Sequence, residues 1–206
     1  MSNNNYLLTF HMTWSYGACL QAFATLEALK NVGCKAEILN FINPHERKGN
    51  ETPFQLIKDG DFKAGLIAAA KNIIFQRAKL HARAFEEFHS RLPRTERVYT
   101  SCAQMADIEA DALIVGSDQV WNPYFGDLKN NFLNFAPYEK RIAYAASIAT
   151  PEIPLAKQDI YEKGLKGMRC ISMREEEGAQ QVEKFTGRKV PVVADPTMLI
   201  SVQEWE

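Results

Sequence analysis

Residues 111–123 read Asp-Ala-Leu-Ile-Val-Gly-Ser-Asp-Gln-Val-Trp-Asn-Pro. The fold prediction depends on this stretch. It opens with a short apolar run, residues 112–115, that stops abruptly at a string of polar side chains. Buried parallel strands carry such apolar runs and deliver polar side chains to a site at their carboxyl ends. We therefore predict a buried strand over residues 112–115 with a ligand site directly after it.

Strand and helix patterns alternate along the rest of the chain. The predicted strands cover residues 6–10, 36–42, 112–115, 141–148, 170–173 and 190–194. The predicted helices cover residues 18–32, 101–106, 155–165, 175–185 and the long pattern at 61–92, with irregular loops at 45–53 and 124–136. This alternation predicts an α/β fold, a Rossmann-like and mostly parallel sheet with helices on both faces.

Composition excludes several kinds of partner. The 206 residues include 24 Lys and Arg against 25 Asp and Glu, a net charge of -1, which gives no field favouring nucleic acid. No apolar run is long enough to span a bilayer, and residues 1–5 lack the features of a signal peptide, so we expect a cytoplasmic protein. The four cysteines form no Cys-x-x-Cys pair, which favours free thiols over a metal site.

Polar residues follow the first predicted strand at Ser15, Tyr16 and Gly17. Gly17 permits a ligand to approach the amides at the start of the following helix, although a turn glycine is the simpler interpretation. His11, at the edge of the same strand, is either a ligand or acid–base group or a structural histidine.

A second group follows the strand at residues 112–115. It consists of Gly116, Ser117, Asp118, Gln119, Trp121 and Asn122. A carboxylate, a hydroxyl and two amides can orient the hydroxyls of a sugar or ribose, and the indole offers a stacking face. The alternative interpretation is a polar turn in which Asp118 caps a helix, and residue chemistry alone leaves both open.

Two more strand ends carry polar residues. Arg174 follows the strand at 170–173, where it can bind a carboxylate or phosphate or pair with a glutamate at 175–177. Asp195-Pro196-Thr197 follows the last predicted strand, and there a structural turn or helix cap is favoured over a ligand contact.

Six blocks of this sequence together resemble the polysaccharide pyruvyl transferase family. They are LTFH at 8–11, YGA and LQA at 16–18 and 20–22, IVGSDQVWN at 114–122, YAAS at 144–147, ISMRE at 171–175 and DPT at 195–197. The blocks occur in the family's order and cover nearly the whole chain. Together they are far more specific than any one of them.

The resemblance implies an architecture similar to the GT-B glycosyltransferases, with the active site between two Rossmann-like halves. Family members transfer a pyruvyl group from phosphoenolpyruvate to two hydroxyls of one sugar, as in exopolysaccharide biosynthesis, forming a ketal and releasing phosphate. The resemblance makes phosphoenolpyruvate the donor substrate and a saccharide the acceptor, and it implies no cofactor and no metal.

The resemblance also implies roles for individual residues. Arg174 would hold phosphoenolpyruvate, and His11 and Asp118 would be catalytic. Strand-end position, and not the resemblance, places Gly116, Ser117, Asp118, Gln119 and Asn122 on the acceptor side of the cleft, with Gly17 and His11 at its floor. The full set of candidate substrate-binding residues besides Arg174 is Ser15, Tyr16, Gly17, Gly116, Ser117, Gln119, Trp121 and Asn122. One departure is Ser15, where the family often has asparagine.

We expect residues 1–198 to form the amino-terminal half of such an enzyme and residues 199–206 to begin the linker to an absent second domain. A half of this kind would be inactive alone, and its exposed apolar face would be compatible with self-association. Two alternatives stay open, a non-catalytic glycan- or nucleotide-binding module and a GT-B glycosyltransferase that uses a nucleotide sugar.

Overall fold

A parallel sheet organises the residues that the structure describes. The structure, a computed structural model, describes residues 4–42, 63, 67, 78–125 and 127–205. The strands are β1 (Asn5–Leu8), β2 (Ala36–Ile38), β3 (Ala112–Val115), β4 (Arg141–Ala146) and β5 (Cys170–Met173). They pair in the order β2-β1-β3-β4-β5, and each pair is parallel. This confirms the predicted α/β fold class.

Helices cover both faces of the sheet. They are α1 (Tyr16–Asn31), α2 (Ala78–Arg91), α3 (Leu128–Asn131), α4 (Gln158–Lys166), α5 (Glu176–Thr186) and α6 (Val202–Trp205). Successive residues of a strand point to opposite faces. Leu7 and Ile114 pack with Leu26 of α1 in one core, and Leu8 and Val115 pack in the other.

The second core draws on the helices of the other face. Phe132 after α3, Tyr161 of α4 and Val182 of α5 are all fully buried in it. Complete burial of a Leu, Phe or Val side chain stabilises the fold by about 1.5–3 kcal/mol. The two cores therefore pack against the two faces of the sheet, and the carboxyl edge of the sheet is where the site lies.

A capping serine and a following glycine mark the two ends of helix α1. Ser15 is the N-cap, and its Oγ accepts a hydrogen bond from the Ala18 amide at 3.4 Å. Gly33 follows the helix with φ 79°, the left-handed conformation that glycine adopts at low cost. Leu20 of this helix is apolar but 39% exposed.

Several predicted boundaries differ from the structure. Strands β1, β2 and β4 end before the predicted residues 10, 42 and 148. In β4 the reason is local, since Ala145 has φ 47° and the pairing register with β5 shifts between Ala143 and Ala146. Segment 190–194 makes only a single bridge, Met173 with Val192, because Pro191 has no N–H to donate to a ladder.

Helix predictions fare unevenly. The loop predicted at 124–136 contains α3, which Asp127 caps. Residues 101–106 form a 3-10 turn, Cys102–Met105, and the Ser101 side chain makes no capping bond. Of the long helix predicted at 61–92, the described part is α2; the loop at 45–53 and most of 61–77 lie outside the described residues.

The connections after β1 and β3 leave the sheet toward opposite faces. The chain after β1 enters α1 on one face, whereas the chain after β3 runs to α3 on the other. Because β1 and β3 are neighbours, a crevice opens between their carboxyl ends, the topological switch point of a doubly wound sheet. Ligands of open α/β sheets bind at such points.

The segment expected to begin a linker packs against this sheet domain. Glu204 accepts a hydrogen bond from the Asn31 side chain at 2.7 Å, and the Trp205 ring lies 5.5 Å from that of Phe23. The division predicted at residue 198 stays a prediction. Within the described ranges, no helix has the length and apolar character needed to cross a membrane.

Candidate functional site

A cleft of about 470 Å³ opens at the switch point. It is lined by Ser15, Gly17, Ala18, Leu20, Gln21, Asp118, Arg174, Asp195, Thr197 and Trp205. Four residues singled out from the sequence, Ser15, Gly17, Asp118 and Arg174, therefore meet in one place. They come from the ends of β1, β3 and β5, because all strands of a parallel sheet deliver their carboxyl ends to the same edge.

The amino terminus of α1 forms one wall of this cleft. Ser15 and Gly17 both line the cleft. The first amides of a helix point outward without intrahelical partners, and the helix dipole adds partial positive charge there. The hydrogen bond from the Ala18 amide to Ser15 Oγ is long at 3.4 Å. This wall is therefore suited to an anionic group.

Asp118 also lines the cleft, in the turn that follows β3. It adopts φ 60°, a left-handed conformation that aspartate tolerates better than most residues. Its Oδ1 accepts a hydrogen bond from the Gln119 amide at 2.7 Å. Burial raises the pKa of this carboxyl, and it outweighs the opposing effects of that hydrogen bond and of Arg174. Asp118 is thus the cleft carboxyl most easily protonated.

Asp195 is held by donors on both of its oxygens. Oδ1 accepts from the Thr197 amide at 3.0 Å and from the Thr197 hydroxyl at 2.7 Å. Oδ2 lies 3.1 Å from Arg174 Nη1 and 3.2 Å from Ser117 Oγ. Burial by itself would raise the pKa of Asp195, but the bonds from Thr197 and Arg174 outweigh it and hold the pKa below its usual value.

The pKa values of the two carboxyl groups are therefore shifted in opposite directions within one cleft. The pKa of Asp118 is raised by burial, whereas that of Asp195 is held below its usual value. Pairs of acids whose surroundings push their pKa values apart are the usual basis of acid–base assignments. The arrangement places two such carboxyl groups in the same cleft as one cation, Arg174.

Ser117 and Gly116 lie beneath the cleft and do not line it. Ser117 is fully buried, and its hydroxyl lies 3.1 Å from the Ala145 carbonyl as well as near Asp195. Gly116 has φ 119°, and a Cβ there would lie 2.1 Å from the Tyr144 carbonyl oxygen. Only glycine fits this close approach, so both residues shape the site from below.

Gln21 and Trp205 line the cleft although the sequence gave them no site role. The Gln21 Nε2 group lies near the carbonyl oxygens of Phe10 and Ala18, which fixes the orientation of its amide. Its buried Oε1 has no partner within the part of the chain that the structure describes. Buried acceptors are nearly always satisfied, so a small donor such as a water or a hydroxyl suits this position.

Trp205, not Trp121, supplies an indole to the cleft. Trp121 was expected to offer a stacking face, and the structure contradicts this because its side chain is 0% exposed. Its indole N–H donates to the Asn131 carbonyl at 3.0 Å, within the core. Trp205 is 37% exposed and lies at the cleft.

Gln119 and Asn122 bind each other away from the cleft. Asn122 Nδ2 donates to Gln119 Oε1 at 2.9 Å, and Asn122 Oδ1 accepts from the Tyr124 amide at 2.9 Å. These bonds close the turn after Asp118. For these two residues the polar-turn interpretation agrees with the structure better than the acceptor contact does.

His11 and Tyr16 also lie outside the cleft lining. His11 is 0% exposed, with Nδ1 3.0 Å from the Thr9 carbonyl and Nε2 3.4 Å from Asn40 Oδ1. Burial lowers its pKa, which favours the neutral ring. This placement agrees with a structural histidine and not with a catalytic one. The Tyr16 ring packs on Phe85 of α2 at 4.9 Å.

Sequence patterns contained partial signals for the residues that were missed. Asp195 and Thr197 were noted at a strand end, and they do form a cap, but the cap uses only one carboxylate oxygen. Gln21 is a polar residue within an apolar helix face, a pattern that marks a buried polar function. No sequence signal places Trp205 at the cleft, since its position there depends on packing against Phe23 of α1.

Comparison with known proteins identifies one family. A sequence profile of the polysaccharide pyruvyl transferase family matches residues 16–205 of this chain. Searches of curated proteins and of solved structures found no significant match. The matched range contains every residue that lines the cleft except Ser15.

Proposed function

Because the chain belongs to the polysaccharide pyruvyl transferase family, we propose that its switch-point cleft forms one wall of a site that transfers a pyruvyl group from phosphoenolpyruvate to a saccharide. The acceptor would present two hydroxyls of one sugar, and the product would be a cyclic ketal. The observation that carries the proposal is that Arg174, Asp118 and Asp195 line one cleft, with the pKa values of the two carboxyl groups shifted in opposite directions.

The reaction needs a proton donor, a proton acceptor and a binding site for anions. Protonation of the methylene carbon of phosphoenolpyruvate uses the double-bond electrons to form a C–H bond and leaves an oxocarbenium centre. One sugar hydroxyl then bonds to that carbon and loses its proton. Phosphate departs with the electrons of its C–O bond, and the second hydroxyl closes the ketal and loses its proton.

Asp118 is suited to the proton transfers. Burial raises its pKa, so the carboxyl can hold a proton nearer to neutral pH than an exposed aspartate does. It follows the central strand β3 and lines the cleft. We assign it to donating a proton to the methylene carbon or to accepting one from a sugar hydroxyl.

Arg174 and the start of α1 are suited to the anionic donor. The Arg174 side chain is 29% exposed and keeps donors beyond the Nη1 group that faces Asp195. A guanidinium can bind a carboxylate or phosphate with two parallel hydrogen bonds. The amides near Gly17 face the same space, and such helix termini bind phosphate groups.

Trp205 and Gln21 are suited to a sugar. A partly exposed indole presents an apolar face to the C–H groups of a sugar ring, and Leu20 extends that apolar side of the cleft. Gln21 Oε1 lacks a donor within the described residues, and a hydroxyl is a donor of the right kind. These contacts would orient an acceptor opposite Asp118.

The direct test measures phosphate released from phosphoenolpyruvate in the presence of a panel of saccharides. It is run on residues 1–206 and on the product of the whole reading frame, with Asp118→Asn in each as the control. For the product of the whole reading frame we expect saccharide-dependent phosphate release with ketal formation seen by mass spectrometry, and its loss in Asp118→Asn. Saccharide binding without turnover would favour a non-catalytic binding module, and turnover of a nucleotide sugar in place of phosphoenolpyruvate would favour a glycosyltransferase.

A further inference from the structure

Asp195 makes more hydrogen bonds than its role as a helix cap requires. The cap of the 3-10 turn Pro196–Met198 uses Oδ1 alone, which accepts from the amide and hydroxyl of Thr197. Oδ2 is turned the other way, toward Arg174 Nη1 at 3.1 Å and Ser117 Oγ at 3.2 Å. Capping therefore does not account for the contacts that Oδ2 makes.

The Asp195 carboxylate joins three segments that are distant in the chain. Ser117 follows β3, Arg174 follows β5, and Thr197 lies in the 3-10 turn Pro196–Met198. Ser117 is itself fixed, because it is fully buried and its hydroxyl also lies 3.1 Å from the Ala145 carbonyl. Asp195 is thus anchored on both oxygens before any ligand arrives.

Glu175 is the competing partner for Arg174, and the geometry favours Asp195. Glu175 Oε2 lies 3.8 Å from Arg174 Nε, which is ion-pair distance but too long for a hydrogen bond. Glu175 Oε1 already accepts from the Ile148 amide at 2.9 Å. The direct hydrogen bond that orients the Arg174 guanidinium is therefore the one that Nη1 donates to Asp195 Oδ2.

We propose that Asp195 is a positioning residue, whose Oδ2 holds the Arg174 guanidinium so that its remaining N–H groups face the anionic donor in the cleft. The inference rests on the proposed function for the identity of that donor. An arginine held in place loses less side-chain freedom when it binds, and a small displacement of such a group costs much of its effect. Asp195 acts through Arg174 and does not itself touch the reacting atoms.

A nearby carboxylate has an opposing effect that the test must separate. Its negative charge reduces the attraction of Arg174 for an anion, so removal of that charge would tighten binding if charge were the larger effect. Asp195→Asn distinguishes the two outcomes. The asparagine carbonyl still accepts from Thr197, whereas its amide group cannot accept from Arg174.

The kinetic experiment uses the product of the whole reading frame and compares Asp195→Asn, Arg174→Ala and their double variant, with Asp127→Ala as the control. We expect Asp195→Asn to lower kcat/KM for phosphoenolpyruvate by about 10- to 100-fold, and to cause no further loss in the Arg174→Ala background. Asp195→Glu should restore part of the activity. Asp127→Ala, which removes a capping aspartate at α3 that does not line the cleft, should lower Tm with little effect on kcat/KM.

Two kinetic results would overturn the inference. One is tighter phosphoenolpyruvate binding in Asp195→Asn, and the other is an equal loss with and without Arg174. Equal losses would mean that Asp195 acts on stability or on the acceptor, independently of the guanidinium.

A second readout on residues 1–206 is independent of turnover. The Arg174 Nε–H signal in a 15N-labelled sample is assigned by its absence in Arg174→Ala. We expect a rigid Arg174 side chain in the wild type and in Asp127→Ala, and a mobile one in Asp195→Asn. If no phosphate is released by any form, the proposed function fails, and this signal alone decides the inference; an unchanged Arg174 signal in Asp195→Asn would refute it.

Discussion

Ser117 Oγ lies 3.2 Å from Asp195 Oδ2, although 78 residues separate the two in the chain. The contact joins the end of β3 to the turn that follows the last segment beside β5. Since Asp195 also binds Arg174 and Thr197, these four residues form one connected network at the cleft. A substitution at one member should therefore change the effect of a substitution at another, and this coupling can be measured.

Arg174→Ala should weaken the use of phosphoenolpyruvate by about 2 kcal/mol or more of transition-state stabilisation, because it removes a partly desolvated cation that pairs with an anion. The measurement is kcat/KM for phosphoenolpyruvate in the product of the whole reading frame. Arg174→Lys is the matched control, and it should recover only part of the loss because an ammonium cannot bind with two parallel bonds. An unchanged kcat/KM in the alanine variant would remove Arg174 from the site.

Gly116→Ala should destabilise the fold by about 3 kcal/mol or more, since a Cβ would lie 2.1 Å from the Tyr144 carbonyl oxygen at a backbone φ of 119°. Gly187→Ala is the control, because Gly187 also has positive φ, 71°, but has no atom within 4 Å of its added Cβ. It should cost only about 1–2 kcal/mol. Urea unfolding of both variants checks this, and equal costs would show that the contact with Tyr144 is unimportant.

Asp118→Asn and Asp195→Asn should shift the pH dependence of stability in opposite directions. The folded pKa of Asp118 lies above its ordinary 3.8, so the wild type loses stability as pH rises from 3.8 through the folded pKa. The stability of Asp118→Asn relative to wild type should therefore increase as pH rises from 3.8 through the folded pKa of Asp118. The folded pKa of Asp195 lies below 3.8, so its stabilising effect is complete above 3.8 and lost at lower pH.

Asp195→Asn should accordingly be less stable than wild type at neutral pH, and the difference should shrink as pH falls below 3.8. Urea midpoints measured across this range for the three proteins provide the check. Parallel curves for all three would mean that neither carboxyl has a shifted pKa in the folded state.

His11→Asn should reduce the loss of stability on mild acidification. The folded pKa of His11 lies below its ordinary 6.5 because the ring is buried, so only the unfolded chain takes up this proton as pH falls below 6.5. Wild-type stability should therefore decrease with falling pH in that window. His89 has a lowered pKa as well, and His11→Asn with His89→Asn should flatten the curve further. A slope unchanged by His11→Asn would contradict a buried neutral ring.

Trp121 and Trp205 should respond differently to substitution and to ligand. Trp121→Phe should cost about 2 kcal/mol or more, because it leaves a cavity and deprives the Asn131 carbonyl of its donor. Trp205→Phe, at a partly exposed position, should cost about 0.5 kcal/mol. In a Trp14→Phe background, acrylamide should quench Trp205 and leave Trp121 unquenched, and a bound saccharide should protect Trp205. Protection of Trp121 in its place would contradict the assignment of the cleft.

The order of elements was predictable because local patterns encode it. Apolar runs such as residues 112–115 and 170–173 correspond to the observed β3 and β5. Boundaries were less predictable, since they depend on contacts between segments. Strand β4 ends early where Ala145 adopts φ 47° beside a register shift, and the run at 190–194 fails to form a strand because of Pro191.

The candidate site was predictable only in part, because it too depends on contacts between segments. Asp118 and Arg174 follow buried strands, and a parallel sheet gathers such residues at one edge. Whether a polar side chain then faces the cleft depends on its neighbours. Gln119 and Asn122 bind each other, and His11 is enclosed between Thr9 and Asn40.

Sequence by itself determined the fold class, the family and the edge of the sheet at which a ligand would bind, because periodicity and motif order are local properties of the chain. Tertiary structure decided which residues meet there. It buried Trp121 and brought Trp205 to the cleft, and it placed Asp195 between Ser117 and Arg174. These outcomes depend on packing between segments far apart in the chain, and no local pattern records such contacts.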